Sequence, residues 1–462
     1  MQKKTFKNLM LAQILAILIS SNLNASGMQD IKSAIESDLL PAQKLSFVDF
    51  SKAMHDQKSS GEILEIASAL QSKITLETIK DFSLEEKIHA IAIVAYMGDS
   101  ALTNALLDQP FDREVYAEMT AVISSAMGGH FDLVKELILK YPQKDLKQYA
   151  VAGGVLGRHI DYVTAMIDET PKLEDVKVES DMSYGAPKLE LVDYAIAASA
   201  GLGDMDLLKF FEGKNPSDQG FGVAILGASS AGKKEVLDYL LTLNLTDKER
   251  YAGEALRRMA NANSLDLFDD LLAKFPNQLG EALGGAASGG HYGLTQRLLE
   301  QNPSLEAIGA ALYGARTPEV ALLLLAKSPD AAYIQEAFGG AIHQNNKAVA
   351  LQLANPEVGG MIPSEKTITD LVTFAAILGK TDELTLLFDF PLSQDLIDQA
   401  VFETVTRGRS AQTLAFLLSP ERGDKTPSKE GLQTAYDMAS RQESAQELAS
   451  LLKNKLDELE AK

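Results

Sequence analysis

The sequence contains no cysteine and no tryptophan, and aromatic residues make up only 6% of its 462 positions. Without cysteine there is no disulfide, no thiolate nucleophile and no thiolate metal ligand, so stability must come from packing. With few aromatics in a 46% hydrophobic chain, the core is built from Leu, Ala, Ile and Val, which predicts helices rather than a β-sandwich. Positive charge is also scarce, 43 Lys and Arg against 64 Asp and Glu, for a net charge of −21. Such an acidic chain repels phosphate backbones and anionic membrane surfaces, so neither nucleic acid nor a lipid surface is an expected partner.

Long apolar runs are absent except at the start. Lys3, Lys4 and Lys7 precede an apolar stretch from Leu9 to Ile19, interrupted by Gln13. Small and polar residues follow, with Ala25 and Gly27 as cleavage positions. This three-part pattern predicts a signal peptide over 1–27 and an exported chain, periplasmic or secreted. Its removal takes away three lysines and no acid, leaving a net charge of −24.

One stretch has the outline of a phosphate-binding loop: "GASSAGKK", Gly227 to Lys234. Such a loop needs a strand before it and Ser or Thr after the Gly-Lys pair to hold Mg²⁺. Lys234 stands at that last position, and the residues before Gly227 have helical character. The Gly-Lys pair has a better explanation in a repeat.

"SSAMGGHFDLVKELI" (124–138), "SAGLGDMDLLKFF" (199–211), "ASSAGKKEVLDYLL" (228–241) and "AASGGHYGLTQRLL" (286–299) share one plan. Small residues lead to a glycine, then a short polar step, then an apolar pattern ending in a bulky pair. Twelve such anchors can be placed: Gly98, Gly129, Arg158, Gly203, Gly232, Asn263, Gly290, Arg316, Asn345, Gly379, Arg409 and Glu443. Eight residues beyond each lies a large apolar residue: Leu106, Leu137, Met166, Phe211, Leu240, Leu271, Leu298, Leu324, Leu353, Leu387, Leu417 and Leu451. Ten of the fifteen prolines fall shortly afterwards: Pro110, Pro142, Pro171, Pro216, Pro276, Pro303, Pro329, Pro356, Pro391 and Pro420.

The physical reading is helix–turn–helix–loop. A first helix of small residues packs closely on its neighbours. The anchor ends it with a left-handed backbone, which Gly adopts without a Cβ clash and Asn tolerates. A second helix carries apolar residues at helical spacing, such as Val236, Leu237, Leu240 and Leu241, and proline stops its continuation. One unit cannot bury its apolar face alone, so the units must stack. The expected fold is all-α, an α-solenoid of about twelve repeats.

Residues 28–86 are expected to form a helical N-terminal cap, and 87–462 the array, with C-terminal capping helices that include the amphipathic stretch Ala445–Lys462. An insert, "KLEDVKVESDMSYGAPKLE" (172–190), is expected to be a solvated or partner-contacting loop.

The repeats resemble the second half of the ankyrin motif, "A-A-x-x-G-H" followed by paired apolar positions. Gly129-His130 and Gly290-His291 carry the resemblance most closely. The "T-P-L-H" opening and the "G-A-D" approach to the β-hairpin finger are absent. The fingers are therefore expected to be short proline turns, and the family's contact residues do not transfer.

His130, His159 and His291 each follow an anchor, which points to a role in the turn. No catalytic, cofactor-binding or metal-ligating residue stands out, and the partner-binding residues are not identified. The expected function is a non-enzymatic scaffold that binds another protein. The alternatives are an enzyme or effector with a site hidden between repeats and a structural envelope protein.

Overall fold

The computed structural model describes residues 60–71, 74–82, 84–109, 114–142, 146–169, 189–408, 410–423 and 425–460. The signal segment 1–27, residues 28–59 of the cap, and the insert except its last two positions lie outside the described residues.

Every described element is a helix. Ser60–Gln71 leads into twelve helix pairs, beginning with Leu84–Tyr96 and Ser100–Leu107 and ending with Lys429–Ser440 and Gln446–Glu460. The chain is an all-helical solenoid of stacked helix–turn–helix units. Its contacts divide into two compact units, Met1–Met259 with Ser264–Gln278, and Ala260–Asn263 with Leu279–Lys462. They are called the N-terminal and C-terminal units below.

The core register follows the anchors. Ten of the twelve apolar residues at the eighth position are buried, each at most 1% exposed, from Leu106 to Leu417. Met166 is half-buried. In the last pair Leu451 is also half-buried, and the adjacent Leu452 takes the buried place. The terminal helix buries Leu448, Ala449, Leu452 and Leu456 and turns its charged side outward, the polar outer face a terminal repeat needs.

Nine anchors have the expected left-handed backbone, with φ between +52° at Asn345 and +80° at Gly129; Arg158 is among them at +60°. Arg316 is not. Its first helix, Leu305–Tyr313, stops earlier, and the Arg316 N–H donates to the Ala287 carbonyl of the preceding pair at 3.1 Å. The last turn also differs: Glu443–Ala445 is a 3₁₀ turn. Arg409 is not among the described residues, but the five residues before it, Thr404–Gly408, form a π-turn.

At six of the ten expected positions proline closes the unit, by two routes, while Pro110 and Pro171 lie outside the described residues. Left-handed Asn215, Asn302 and Ser328 stand directly before Pro216, Pro303 and Pro329. Pro276, Pro356 and Pro420 instead open 3₁₀ turns.

Neighbouring pairs are also joined through polar side chains, one buried and two half-buried. Asp193, 1% exposed, accepts hydrogen bonds from the backbone N–H of Glu190 (2.9 Å) and from the N–H (2.7 Å) and hydroxyl (2.9 Å) of Ser217. Ser217 caps the first helix of the next pair by accepting from the Gly220 N–H. Asp398 does the same for Ser428, which caps through the Gly431 N–H. Gln335 accepts from the N–H of the cap residue Ser364. Asp193 and Gln335 lie ten residues before their anchors. Asp398 lies eleven before, and the π-turn accounts for the extra residue. Each cap is therefore oriented by the pair before it, which removes an orphan donor from the helix terminus.

Candidate recognition surface

The Gly-Lys stretch sits in a repeat turn. Gly227 lies inside the helix Asp218–Ser230, Gly232 has φ +67°, and Lys233 is the N-cap of Lys234–Thr242. Lys234 pairs with Asp270 and lies 3.8 Å from Asp238, while Lys274 bonds Asp238 at 2.5 Å. The hydrogen bond with Asp270 raises the Lys234 ammonium above its ordinary value and lowers the Asp270 carboxyl. These four charges tie two consecutive second helices together. The crevice between them holds about 10 Å³, too little for a nucleotide.

The turn histidines act between repeats. The His159 Nε2 is 3.0 Å from the Met127 carbonyl, and the His291 Nε2 is 2.7 Å from the Asn261 carbonyl. Both acceptors lie two residues before the preceding anchor, at the frayed end of a first helix. The imidazole satisfies a carbonyl that has no partner in its own helix. His130 instead lies against Gly98, where a Cβ would come within 2.3 Å of its Nδ1. Replacing His291 by Ala is expected to cost about 1 kcal/mol, the usual worth of one such bond. Urea titration checks this, and an unchanged midpoint would deny the histidine its linking role.

Two sides of a first helix meet neighbouring first helices and a third meets its own second helix. The remaining side of the C-terminal unit carries a solvent-exposed stripe. In Leu305–Tyr313 it consists of Glu306, Ala310 and Tyr313; in Ala331–His343, of Ala332, Glu336 and His343; in Glu365–Leu378, of Asp370, Phe374 and Leu378. Tyr313, Phe374 and Leu378 are 51%, 49% and 52% exposed. Beside them runs an acidic row, with Glu281, Glu306, Glu336 and Asp370 exposed one per helix. Glu306, Glu336 and Asp370 make no ion pair among the described residues.

His343 sits at the edge of this stripe. Its Nδ1 is 2.9 Å from Glu383 Oε2, and its ring meets Phe374 edge-on at 5.7 Å. Glu383 is 6% exposed, and the imidazole supplies this buried carboxylate with a polar partner. Among the described residues, no group of three or more His, Asp or Glu is placed to hold a metal ion.

Sequence reasoning did not identify this stripe. Its signal is the spacing 306-310-313 and 370-374-378, which lies out of phase with the buried positions Ile308, Leu312, Leu371 and Ala375. The insert 172–190, the other expected contact region, lies outside the described residues except for Leu189 and Glu190.

No family model matches the chain, and no curated protein matches it. Solved structures do. The pentatricopeptide repeat protein PPR10 from maize is 17% identical, with 94% of this chain and 64% of that chain covered and a TM-score of 0.27. This chain thus spans less than two thirds of that protein's length. PPR10 in complex with an 18-nt psaJ RNA element is 15% identical, with 93% and 73% covered and a TM-score of 0.29. A cysteine-to-serine form of PPR10 bound to the same element matches equally well.

Two of these three structures hold RNA, which overturns the expectation of a protein partner with nucleic acid excluded. Neither half of that expectation is taken further. Its physical weakness is that net charge averages over the whole chain, whereas a ligand feels only charges within about a Debye length, roughly 10 Å. At these identities and scores the likeness assigns this chain no ligand, and ankyrin repeats are not among the three. What the geometry establishes is an all-helical solenoid with twelve helix–turn–helix units among the described residues.

Proposed function

We propose that the chain is a binding scaffold rather than a catalyst, and that the first-helix stripe of the C-terminal unit receives an elongated cationic ligand. The observation that carries this reading is the pairing of two rows. Unpaired Glu306, Glu336 and Asp370 supply negative charge at regular intervals. Ala310, Tyr313, Phe374 and Leu378 supply apolar and aromatic surface beside them. A flexible polycation gains electrostatic attraction from the first row and desolvated contact from the second.

Spermine is a suitable probe. Titration calorimetry is expected to show saturable binding that weakens with salt. Neutralising the row by Glu306→Gln, Glu336→Gln and Asp370→Asn together should weaken it about tenfold or more, each lost charge contact at a partly exposed site being worth several tenths of a kcal/mol. Binding that the triple variant leaves unchanged, or no saturable binding at all, would sink the proposal.

A further inference from the structure

Three residues of the exposed stripe end their helices: Tyr313, His343 and Leu378 are the last residues of Leu305–Tyr313, Ala331–His343 and Glu365–Leu378. Such termini carry partial negative charge on their free carbonyls and favour a cation. Of the three, His343 carries a ring whose proton the structure fixes. Glu383 is buried in the first turn of Thr381–Leu387, where free backbone N–H groups favour a carboxylate. A carboxylate only accepts, so the 2.9 Å contact between its Oε2 and Nδ1 of His343 requires the imidazole proton on Nδ1. The lone pair of the neutral ring is then on Nε2, which has no hydrogen-bond partner among the described residues. His343 is exposed, and the half-exposed ring of Phe374 stands beside it.

We propose that His343 takes an ammonium group of the cationic ligand, its Nε2 accepting one N–H, and that Glu383 is the positioning residue that keeps Nε2 free to accept. This rests on the reading of the stripe as a cation-binding surface and names the residue that recognises the ligand's amine. An acceptor, an aromatic ring that attracts cations and the negative end of a helix occur together at this place. The same geometry makes the site responsive to acid. A proton on Nε2 removes the acceptor and leaves an imidazolium beside Glu383, so imidazolium and bound ammonium are alternatives. The helices packed against Ala331–His343 bring Tyr313, Lys347, Asp382 and Glu383 to this end, with Lys380 just before Thr381–Leu387. Glu365–Leu378 has no titratable residue after Asp370. Lys347 is held by Asp389 at 2.7 Å. Of these groups, Glu383 is the one paired with the imidazole.

Spermine is titrated calorimetrically into the full chain at about pH 7.5 and about pH 5.5, which bracket the ordinary imidazole range and leave exposed carboxylates largely ionised. The unaltered chain is expected to lose about tenfold in affinity on acidification, the worth of one hydrogen bond to a charged group. His343→Gln keeps an amide N–H for Glu383 and an oxygen for the ligand but does not titrate. It should match the unaltered chain at the higher pH and hold that affinity at the lower. Glu383→Gln offers Nδ1 a donor, which moves the ring proton to Nε2. Heteronuclear NMR of the imidazole nitrogens should report that tautomer, and binding at the higher pH should weaken about tenfold. An equal response to acid in the unaltered chain and His343→Gln would overturn the proposal, as would a Glu383→Gln chain whose tautomer changes while its affinity does not. A tautomer that Glu383→Gln leaves in place would deny Glu383 its positioning role. No saturable binding at either pH would instead remove the cation-binding surface itself, and the assignment of His343 with it.

Discussion

Leu298→Ala is expected to destabilise the C-terminal unit by about 2–5 kcal/mol, the range for a leucine truncated in a packed core. Leu298 is fully buried in the second helix Tyr292–Leu299. Removing its isobutyl group loses the transfer energy of those carbons and leaves a cavity. Stacked helices on both sides cannot close that cavity without losing their own contacts. Leu240→Ala should cost about the same in the N-terminal unit, since Leu240 occupies the equivalent place and is also fully buried. The last pair supplies the contrast. Leu452→Ala should be costly and Leu451→Ala mild, because there the buried position has moved by one residue. Urea midpoints of the four variants test the register. Equal losses at 451 and 452 would show that the register of the terminal helix is misread.

The second large effect separates backbone strain from crowding. Gly98 and Gly232 both have left-handed backbones, at φ +75° and +67°. A Cβ on Gly232 meets nothing within 4 Å, whereas one on Gly98 would come within 2.3 Å of the His130 ring. Gly232→Val should therefore show strain alone, about 1–3 kcal/mol. Gly98→Val should add the cost of forcing an extra group into a packed contact, about 1–3 kcal/mol more. In a stacked array each pair touches only its neighbours. Hydrogen exchange should show the Gly98→Val loss over residues 84–140 and leave the C-terminal unit unchanged. Equal losses at the two glycines would mean that the His130 ring swings aside at no cost. Loosening spread over the whole chain would contradict the stacked architecture.

The register and the turns were legible in the sequence because both are local. A position that must be buried repeats at a fixed distance from the turn, and a left-handed turn selects Gly or Asn. Arg158 shows how far that tolerance extends: it takes φ +60° and pairs with Asp204 of the next pair at 2.7 Å. Arg316 shows where local reasoning fails. A basic residue stands at the same sequence position, but the helix before it ends early and its N–H is satisfied by the preceding pair. The stripe was harder to see, because the pattern within a helix separates core from non-core and does not say which non-core side meets a neighbour. Tyr149 and Asp370 become equivalent only after their turns are placed. The link from Asp193 to Ser217 crosses 24 residues and leaves no local signature.

The forward-reaching acceptors give the array a direction of growth. Asp193, Gln335 and Asp398 each belong to the pair that leaves the ribosome earlier, and each holds the cap residue of the pair that follows. A newly made pair therefore meets a template for its first turn as soon as it emerges. The first helices capped at Ser217, Ser364 and Ser428 thus bear less of the nucleation cost that a short isolated helix would carry alone. By the same logic, the last pair can unravel without removing an acceptor that caps an earlier pair, whereas loss of an earlier pair removes the acceptor that orients the next. Fraying is thereby biased toward the C-terminal end of each such link, and assembly toward the order of synthesis.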